Sequence, residues 1–175
     1  MLRTFSRIPT EEQEQVLDAF HEKELRPRYL KGALERIDWH KKQGHKLLLV
    51  SASVELYLQK VVKALGFDLL IATRTSLETG PSPGGDGALD DLARSFLSKD
   101  TPRLLAANCY GHEKVNRLQA WKDFNEIDWP ASWAYSDHIS DLPMLMLCGH
   151  PVATTPHRKL KQHALRQGWR MMNWR

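Results

Sequence analysis

Leu47-Leu48-Leu49-Val50-Ser51-Ala52-Ser53 is the stretch on which the fold turns. Four consecutive apolar residues without polar alternation suit a strand covered on both faces, as in a parallel sheet, and predict a strand over Lys46 to Val50. Upstream, Leu30, Leu34 and Ile37 recur at helical spacing, Lys41 and Lys42 fall in the last turn, and Gly44 supplies a left-handed cap. Downstream, Val54, Leu58, Val61 and Leu65 mark a second helix, Gly66 ends it, and Phe67 to Thr73 reads as another buried strand. A β-α-β unit with a right-handed crossover follows, and with it the α/β class.

Working outward, Thr10 and Gln13 match a capping box after Pro9, and Val16, Leu17 and Phe20 carry a helix to about Leu25, before Pro27. Beyond Thr73, the run Gly80-Pro81-Ser82-Pro83-Gly84-Gly85-Asp86-Gly87 forbids regular structure and predicts a surface loop. A short helix is expected near Leu89 to Leu97, and a longer one from about Glu113 to Lys122 carrying Val115, Leu118 and Trp121. Trp133 to Ser136 reads as a third strand, a brief helix follows Pro143, Pro151 to Thr154 reads as a fourth strand, and Arg158 to Gln167 as a basic helix. The segment from Trp169 to Trp174 is too short to classify.

The totals bound the answer. At 175 residues, 42% hydrophobic and 26% charged, the chain suits one domain with a packed core. No apolar run approaches the roughly 20 residues that span a bilayer, and Met1 leads into no signal-like apolar segment, so a cytoplasmic address is expected. Cys109 and Cys148 lack metal-site or disulfide-framework spacing and read as buried thiols. None of the eight histidines forms a His-x-x-x-His pair, which disfavours a histidine metal site. The net charge of +4 is spread, concentrating only mildly in His157-Arg158-Lys159-Leu160-Lys161, so a small anionic substrate fits at least as well as nucleic acid.

In open α/β sheets ligands sit beyond the carboxyl ends of the strands. Ser51 follows the first strand, where its hydroxyl and the amides opening the next helix could bind a phosphoryl group; Ser51 or Ser53 could equally be a helix N-cap. Small Ala52 permits close approach. Asp137 follows the third strand and Asp141 lies four residues on, so two carboxylates can converge on one cleft and offer the hard oxygens magnesium prefers, or serve only a turn and an N-cap. Lys114 opens a helix, where a cation is disfavoured without an anionic partner.

Together these residues resemble the later motifs of haloacid-dehalogenase-superfamily phosphatases: serine after a strand, lysine opening a later helix, and Asp-x-x-x-Asp after the next strand. The wording is closest to the phosphoserine-phosphatase-like branch, subfamily IB, in Trp39-His40-Lys41-Lys42-Gln43-Gly44-His45, Val50-Ser51-Ala52-Ser53, Asn108-Cys109-Tyr110-Gly111, Glu113-Lys114-Val115 and Ser140-Asp141-Leu142-Pro143-Met144-Leu145. The resemblance covers about Pro27 to the C-terminus. It implies a Rossmann-like three-layer parallel sheet and a magnesium-dependent hydrolase of small phosphorylated metabolites. By the same resemblance Ser51, Ala52 and Lys114 would hold the phosphoryl group, with Ser51 and Lys114 acting in catalysis, and Asp137 would ligate Mg2+ with support from Asp141.

The chain departs from the family at its first motif. That motif is an Asp-x-Asp after an N-terminal strand, bearing the nucleophile, and no Asp-x-Asp occurs in this sequence. Residues 1–30 then read as the remnant of a helical cap and residues 31–175 as a core lacking its central first strand. The two strands that would flank it should either close up and pair or keep bare edges about one strand apart. Hydrolysis by this chain is expected to be absent or impaired, and the alternative is a non-catalytic domain that binds phosphate compounds or a partner. Smaller departures are Ser136 where glycine is usual, His138 where a small residue is common, and a longer stretch from about Pro83 to Leu104.

Overall fold

In the computed structural model, residues 10–75, 107–121 and 123–174 are described. The loop expected at Gly80 to Gly87, the short helix near Leu89 to Leu97 and the whole of the longer Pro83–Leu104 stretch lie outside the described residues.

The N-terminal helical signal extends as far as expected but changes hydrogen bonding on the way. Helix α1 spans Thr10–Phe20, a π turn follows at His21–Leu25, and a 3-10 turn at Arg26–Arg28 carries Pro27 near its start. This segment rests on α3 (Glu55–Leu65). The Phe20 and Tyr57 rings meet edge-on at 5.6 Å, and the Lys60 ammonium pairs with Glu14 and Asp18. His21 Nε2 and the Tyr29 hydroxyl, 2.7 Å apart, fasten the π turn to the extended residue that ends the 3-10 turn.

Helix α2 spans Lys31–Lys42 and unwinds at Gly44, whose φ of 72° is the left-handed conformation read from the sequence. Strand β1 runs Leu48–Val54, starting two residues later and ending four residues later than the predicted Lys46 to Val50. It pairs in parallel with β2 (Leu69–Thr73), regularly from Leu48 to Val50 and then with a register shift before Val54. Gly66 caps α3 at φ 61°.

The other half holds α4 (His112–Gln119), β3 (Trp133–Ser136), a 3-10 turn at Ile139–Asp141, the single-turn α5 (Leu142–Leu145), β4 (His150–Thr154), α6 (Arg158–Gln167) and β5 (Arg170–Met172). β3 and α6 have the bounds predicted from sequence. β5 was not foreseen: three residues after the α6 cap Gly168 pair with β4, in parallel, at Val152, Ala153 and Thr154. The α5–β4 connection fits because Gly149 passes against the backbone of Pro130, where a side chain would collide with the Pro130 carbonyl.

The α/β class and the all-parallel pairing hold, but a single sheet does not form among the described residues. The strands make two sheets, β1-β2 and β3-β4-β5. β1 and β3 do not pair, so the flanking strands keep bare edges rather than closing up. The expectation that β1 is covered on both faces is overturned: every residue of Leu48–Val54 is only half-buried. Its apolar run has the composition for burial, but burial also needs a neighbour along each edge, and among the described residues β1 pairs only with β2. The core divides in the same way. Ala134, Leu145, Ala153, Leu160 and Ala164 form one buried cluster, and Ile71, Cys109 and Leu118 another, against which Leu48, Val50 and Met144 pack.

Candidate active site

Lys114 lies in the first turn of α4, where the helix dipole repels a cation, yet it is only 6% exposed. Its Nζ is 2.7 Å from Asp141 Oδ1. The carboxylate supplies the compensation that burial of a lysine demands. The other oxygen, Asp141 Oδ2, accepts from the Ser136 hydroxyl at 2.8 Å, and Ser136 Oγ in turn accepts from the His138 amide at 3.2 Å. Ser136, where a glycine was the expected residue, thus closes the turn at the end of β3 and locks Asp141 beneath it.

His138 belongs to the same turn. Its Nδ1 accepts from the Ser140 amide at 3.2 Å and lies 2.8 Å from the Ser140 hydroxyl, so it caps the 3-10 turn.

Asp137 is placed differently from Asp141. Its side chain is 61% exposed; its carbonyl accepts from the His157 amide at 2.8 Å, and its Oδ2 lies 3.6 Å from His157 Nε2. Its carboxylate therefore faces solvent at the rim, while Asp141 is engaged below it by Lys114 and Ser136. No group of three or more His, Cys, Asp or Glu able to hold a metal occurs among the described residues. Two hard carboxylates with one of them open to water still suit magnesium, which keeps several waters and takes one or two protein carboxylates.

Ser51 lies inside β1, in the stretch where the register shifts, and not after it. Its hydroxyl accepts from the Ser53 amide at 3.1 Å, a local turn bond. Neither serine caps α3, whose N-cap position is Val54 without a side-chain bond. Ala52 is held by the next strand: the Thr73 hydroxyl is 2.8 Å from the Ala52 carbonyl and 2.8 Å from Asn108 Oδ1, and it accepts from the Cys109 amide at 3.1 Å.

This junction is what sequence reasoning missed. Thr73 ties the ends of β1 and β2 to the segment leading into α4. Arg117 adds a second tie, with Nη1 2.6 Å from the Ala72 carbonyl, a further bond to the Ala107 carbonyl and its Nε 2.9 Å from Glu113. The bonds of Arg117 and Asn116 to Glu113 hold that carboxyl below its ordinary range. A polar residue ending a buried strand was the available signal for Thr73; nothing in the sequence marks Arg117.

Neither cysteine can stand in for a carboxylate nucleophile. Burial pushes the Cys109 thiol up, despite the nearby Arg117 and Lys114, and pushes the Cys148 thiol to about 11, so both stay protonated near neutral pH. Cys109 is fully buried, as expected, whereas Cys148 is only half so.

The structure thus brings Lys114, Asp141 and Ser136 together at the end of β3, with Asp137 exposed in the same turn, while Ser51 lies inside β1 and bonds only locally. The haloacid dehalogenase-like hydrolase family matches residues 1–146. The chain belongs to that family.

Among haloacid dehalogenase-like relatives, a protein of Mycobacterium tuberculosis described as a probable phosphatase is 30% identical over 142 residues, covering 81% of this chain and 43% of its own. A solved Bordetella pertussis protein of unknown function aligns with a TM-score of 0.77 at 21% identity, over 99% of this chain and 71% of that one. A substrate-bound phosphoserine phosphatase aligns at 0.53 and 17% identity, over 99% and 69%. The structural likenesses carry the fold. The chain spans about half the length of the curated relatives it matches.

Proposed function

We propose that this chain carries the phosphate- and magnesium-binding part of a phosphoric monoester hydrolase, and that the carboxylate nucleophile of the reaction is not among its residues. The observation that carries the reading is Lys114: a lysine held buried at a helix start by Asp141 has its charge fixed at the strand ends, where an anionic substrate would need it. Ser51 and the backbone around Ala52 would supply hydrogen-bond donors to the phosphoryl oxygens, the Ser51 hydroxyl donating its proton while its oxygen keeps the bond from the Ser53 amide. Asp137 would ligate magnesium from its exposed position, and Asp141 would act mainly by holding Lys114 in place. Magnesium, when bound, would neutralise phosphoryl charge as a Lewis acid.

The substrate class follows from the same groups. One lysine, one hydroxyl and a metal-binding carboxylate suit a single phosphoryl group, so the substrate is a small phosphorylated metabolite and not a polyphosphate chain. Residues 10–28 pack on α3 at the side of the core, consistent with residues 1–30 as a cap remnant on a core of residues 31–175. No described helix is long and apolar enough to cross a membrane, and a cytoplasmic location fits that reading.

Titration calorimetry with inorganic phosphate tests the proposal. Binding should require Mg2+ and should weaken at least ten-fold in both Ser51→Ala and Asp137→Ala. Magnesium-independent binding, or binding unchanged by both substitutions, would remove the cradle from the account. The second reading, a non-catalytic phosphate- or partner-binding domain, is favoured by the missing Asp-x-Asp and predicts the same binding without turnover.

A further inference from the structure

At the amino-terminal ends of β3, β4 and β5, the opposite end of the strands from the candidate active site, a cavity of about 230 Å³ opens to the surface. Pockets for drug-sized ligands run to roughly 300–1,000 Å³, so this one has room for a single small ring system. Trp133, His150, Trp169 and Arg170 border it, Val152 lies among them, and no acidic residue lines it.

Strand register explains how these groups meet. Residues level with one another in a parallel pair project to the same face, and residues two apart on one strand do the same. Trp133 is level with His150, and Val152 with Arg170, so all four stand on one face of the sheet. There the His150 ring lies flat against Trp133, with centroids 4.4 Å apart and planes inclined by 22°. Trp133 is braced in turn by the Arg36 guanidinium, 5.4 Å from its centroid, and by the Trp39 ring, edge-on at 5.8 Å. The aromatic platform is thus fixed before any ligand arrives, which lowers the entropy cost of binding.

The stack stops one ring short. β4 lies between β3 and β5, so His150, with one face on Trp133, turns its other face toward β5. The Val152–Arg170 register, carried two residues back, sets Gly168 level with His150. Gly168 has no side chain, and a Cβ built on it would meet no atom within 4 Å. A third ring can therefore continue the row Trp133–His150 over Gly168. Trp169, met edge-on by His163 at 4.9 Å, borders that open position, and Arg170 stands one pleat further along, at ~6.6 Å.

Charge narrows the class of ring. Residues 142–175 contain six Lys and Arg and no Asp or Glu, so the segment that builds most of the cavity carries positive charge without compensation of its own. Among the described residues no carboxylate pairs with Arg170, which is exposed, and the ring of the exposed His150 makes only its stacking contact. A guanidinium beside an aromatic stack can receive both a π face and an anionic substituent.

We propose that this cavity binds one flat aromatic ring bearing a negative charge, the ring continuing the Trp133–His150 stack over Gly168 and the charge pairing with Arg170. The site is separate from Lys114, Asp137 and Asp141, so its occupation requires neither magnesium nor phosphate.

The test uses the 175-residue chain without Mg2+ and benzoate as the probe. Benzamide offers the same ring without the charge, and cyclohexanecarboxylate the same charge without a flat ring. Two-dimensional proton–nitrogen NMR follows the tryptophan indole N–H signals. Benzoate should shift the Trp169 and Trp133 signals saturably and bind about three- to five-fold more tightly than either control, the worth of one exposed charge pair or cation–π contact. Arg170→Gln should bring benzoate down to the level of benzamide, and His150→Ala should weaken both alike; both side chains are exposed, so neither substitution should move the melting temperature. Equal binding of benzoate and cyclohexanecarboxylate would show a general anion patch, and equal binding of benzoate and benzamide would remove the role of Arg170; either result overturns the proposal. Shifts at Trp129 and Trp174 without Trp169 would place the ring in the larger cavity between the sheets and reject this site, as would the absence of any saturable shift at Trp169.

Discussion

The β3-β4-β5 half and the β1-β2 half are built from similar sequence and finished to different degrees. In the first, Leu145, Ala153, Leu160 and Ala164 are fully buried, and β4 is paired on both edges. In the second, β1 is half-exposed along its whole length, and α3 has no buried residue despite its Leu58, Val61 and Leu65 stripe. Apolar patterning sets which residues can enter a core; whether they do depends on a neighbour being present on every side. Both halves face the cavity between the sheets, β1 and β3 each with one edge unpaired among the described residues.

The largest expected effect comes from breaking the buried pair that joins α4 to the turn after β3. Lys114→Met alone leaves Asp141 buried and unpaired, and should cost about 3–5 kcal/mol in urea unfolding. Lys114→Met combined with Asp141→Leu should recover most of that loss while abolishing phosphate binding. Recovery without loss of binding would separate the pair from the site.

A direct contrast of the halves comes next. Leu145→Ala or Leu160→Ala should cost ~2–5 kcal/mol, the range for a fully buried leucine, whereas Leu49→Ala and Leu58→Ala should each cost less than half as much. Equal costs would mean that β1 and α3 are as well packed as the other half.

A smaller effect is set by pH. His40 is buried, with Nε2 2.7 Å from the Tyr135 hydroxyl and Nδ1 2.8 Å from His45 Nδ1, so it bridges α2 to β3 across one end of the cavity. Burial first, then His45 and Arg36, push its pKa down to about 4 from an ordinary 6.5. The same burial pushes the Tyr135 hydroxyl up to about 12. The facing groups are Arg36, whose guanidinium lies 4.6 Å from the Trp39 ring centroid, and the Trp133 ring. Because the folded pKa is depressed, the unfolded chain takes up the proton first: the stability is whole above about 6.5 and is lost as pH falls toward 4. Melting temperature should drop through that window, by an amount equivalent to roughly 1–3 kcal/mol, and His40→Gln should flatten the profile.

Much of the fold was legible in the residues alone. The helical stripes, Gly44 and Gly66 as left-handed caps, and the bounds of β3 and α6 follow from local patterning, since each is decided within a few residues. The split sheet was legible only as a pair of alternatives, because the sequence shows that no Asp-x-Asp occurs and not how the strands respond. β5 escaped notice since three residues carry no periodicity; its pairing comes from the position of β4. Ser51, Lys114, Asp137 and Asp141 could be named as candidates, but how each is held could not. Only the fold reveals that Asp141 is consumed by Lys114 and Ser136 while Asp137 stays open, and that Thr73 and Arg117 fasten the intervening segment.

The central claim, a phosphate-binding site without its nucleophile, is tested most directly by steady-state hydrolysis of p-nitrophenyl phosphate by the 175-residue chain with Mg2+. The account predicts a rate no higher than that of Asp137→Ala measured alongside. Magnesium-dependent turnover that Asp137→Ala abolishes would contradict it, and would mean that the chain carries a nucleophile of its own.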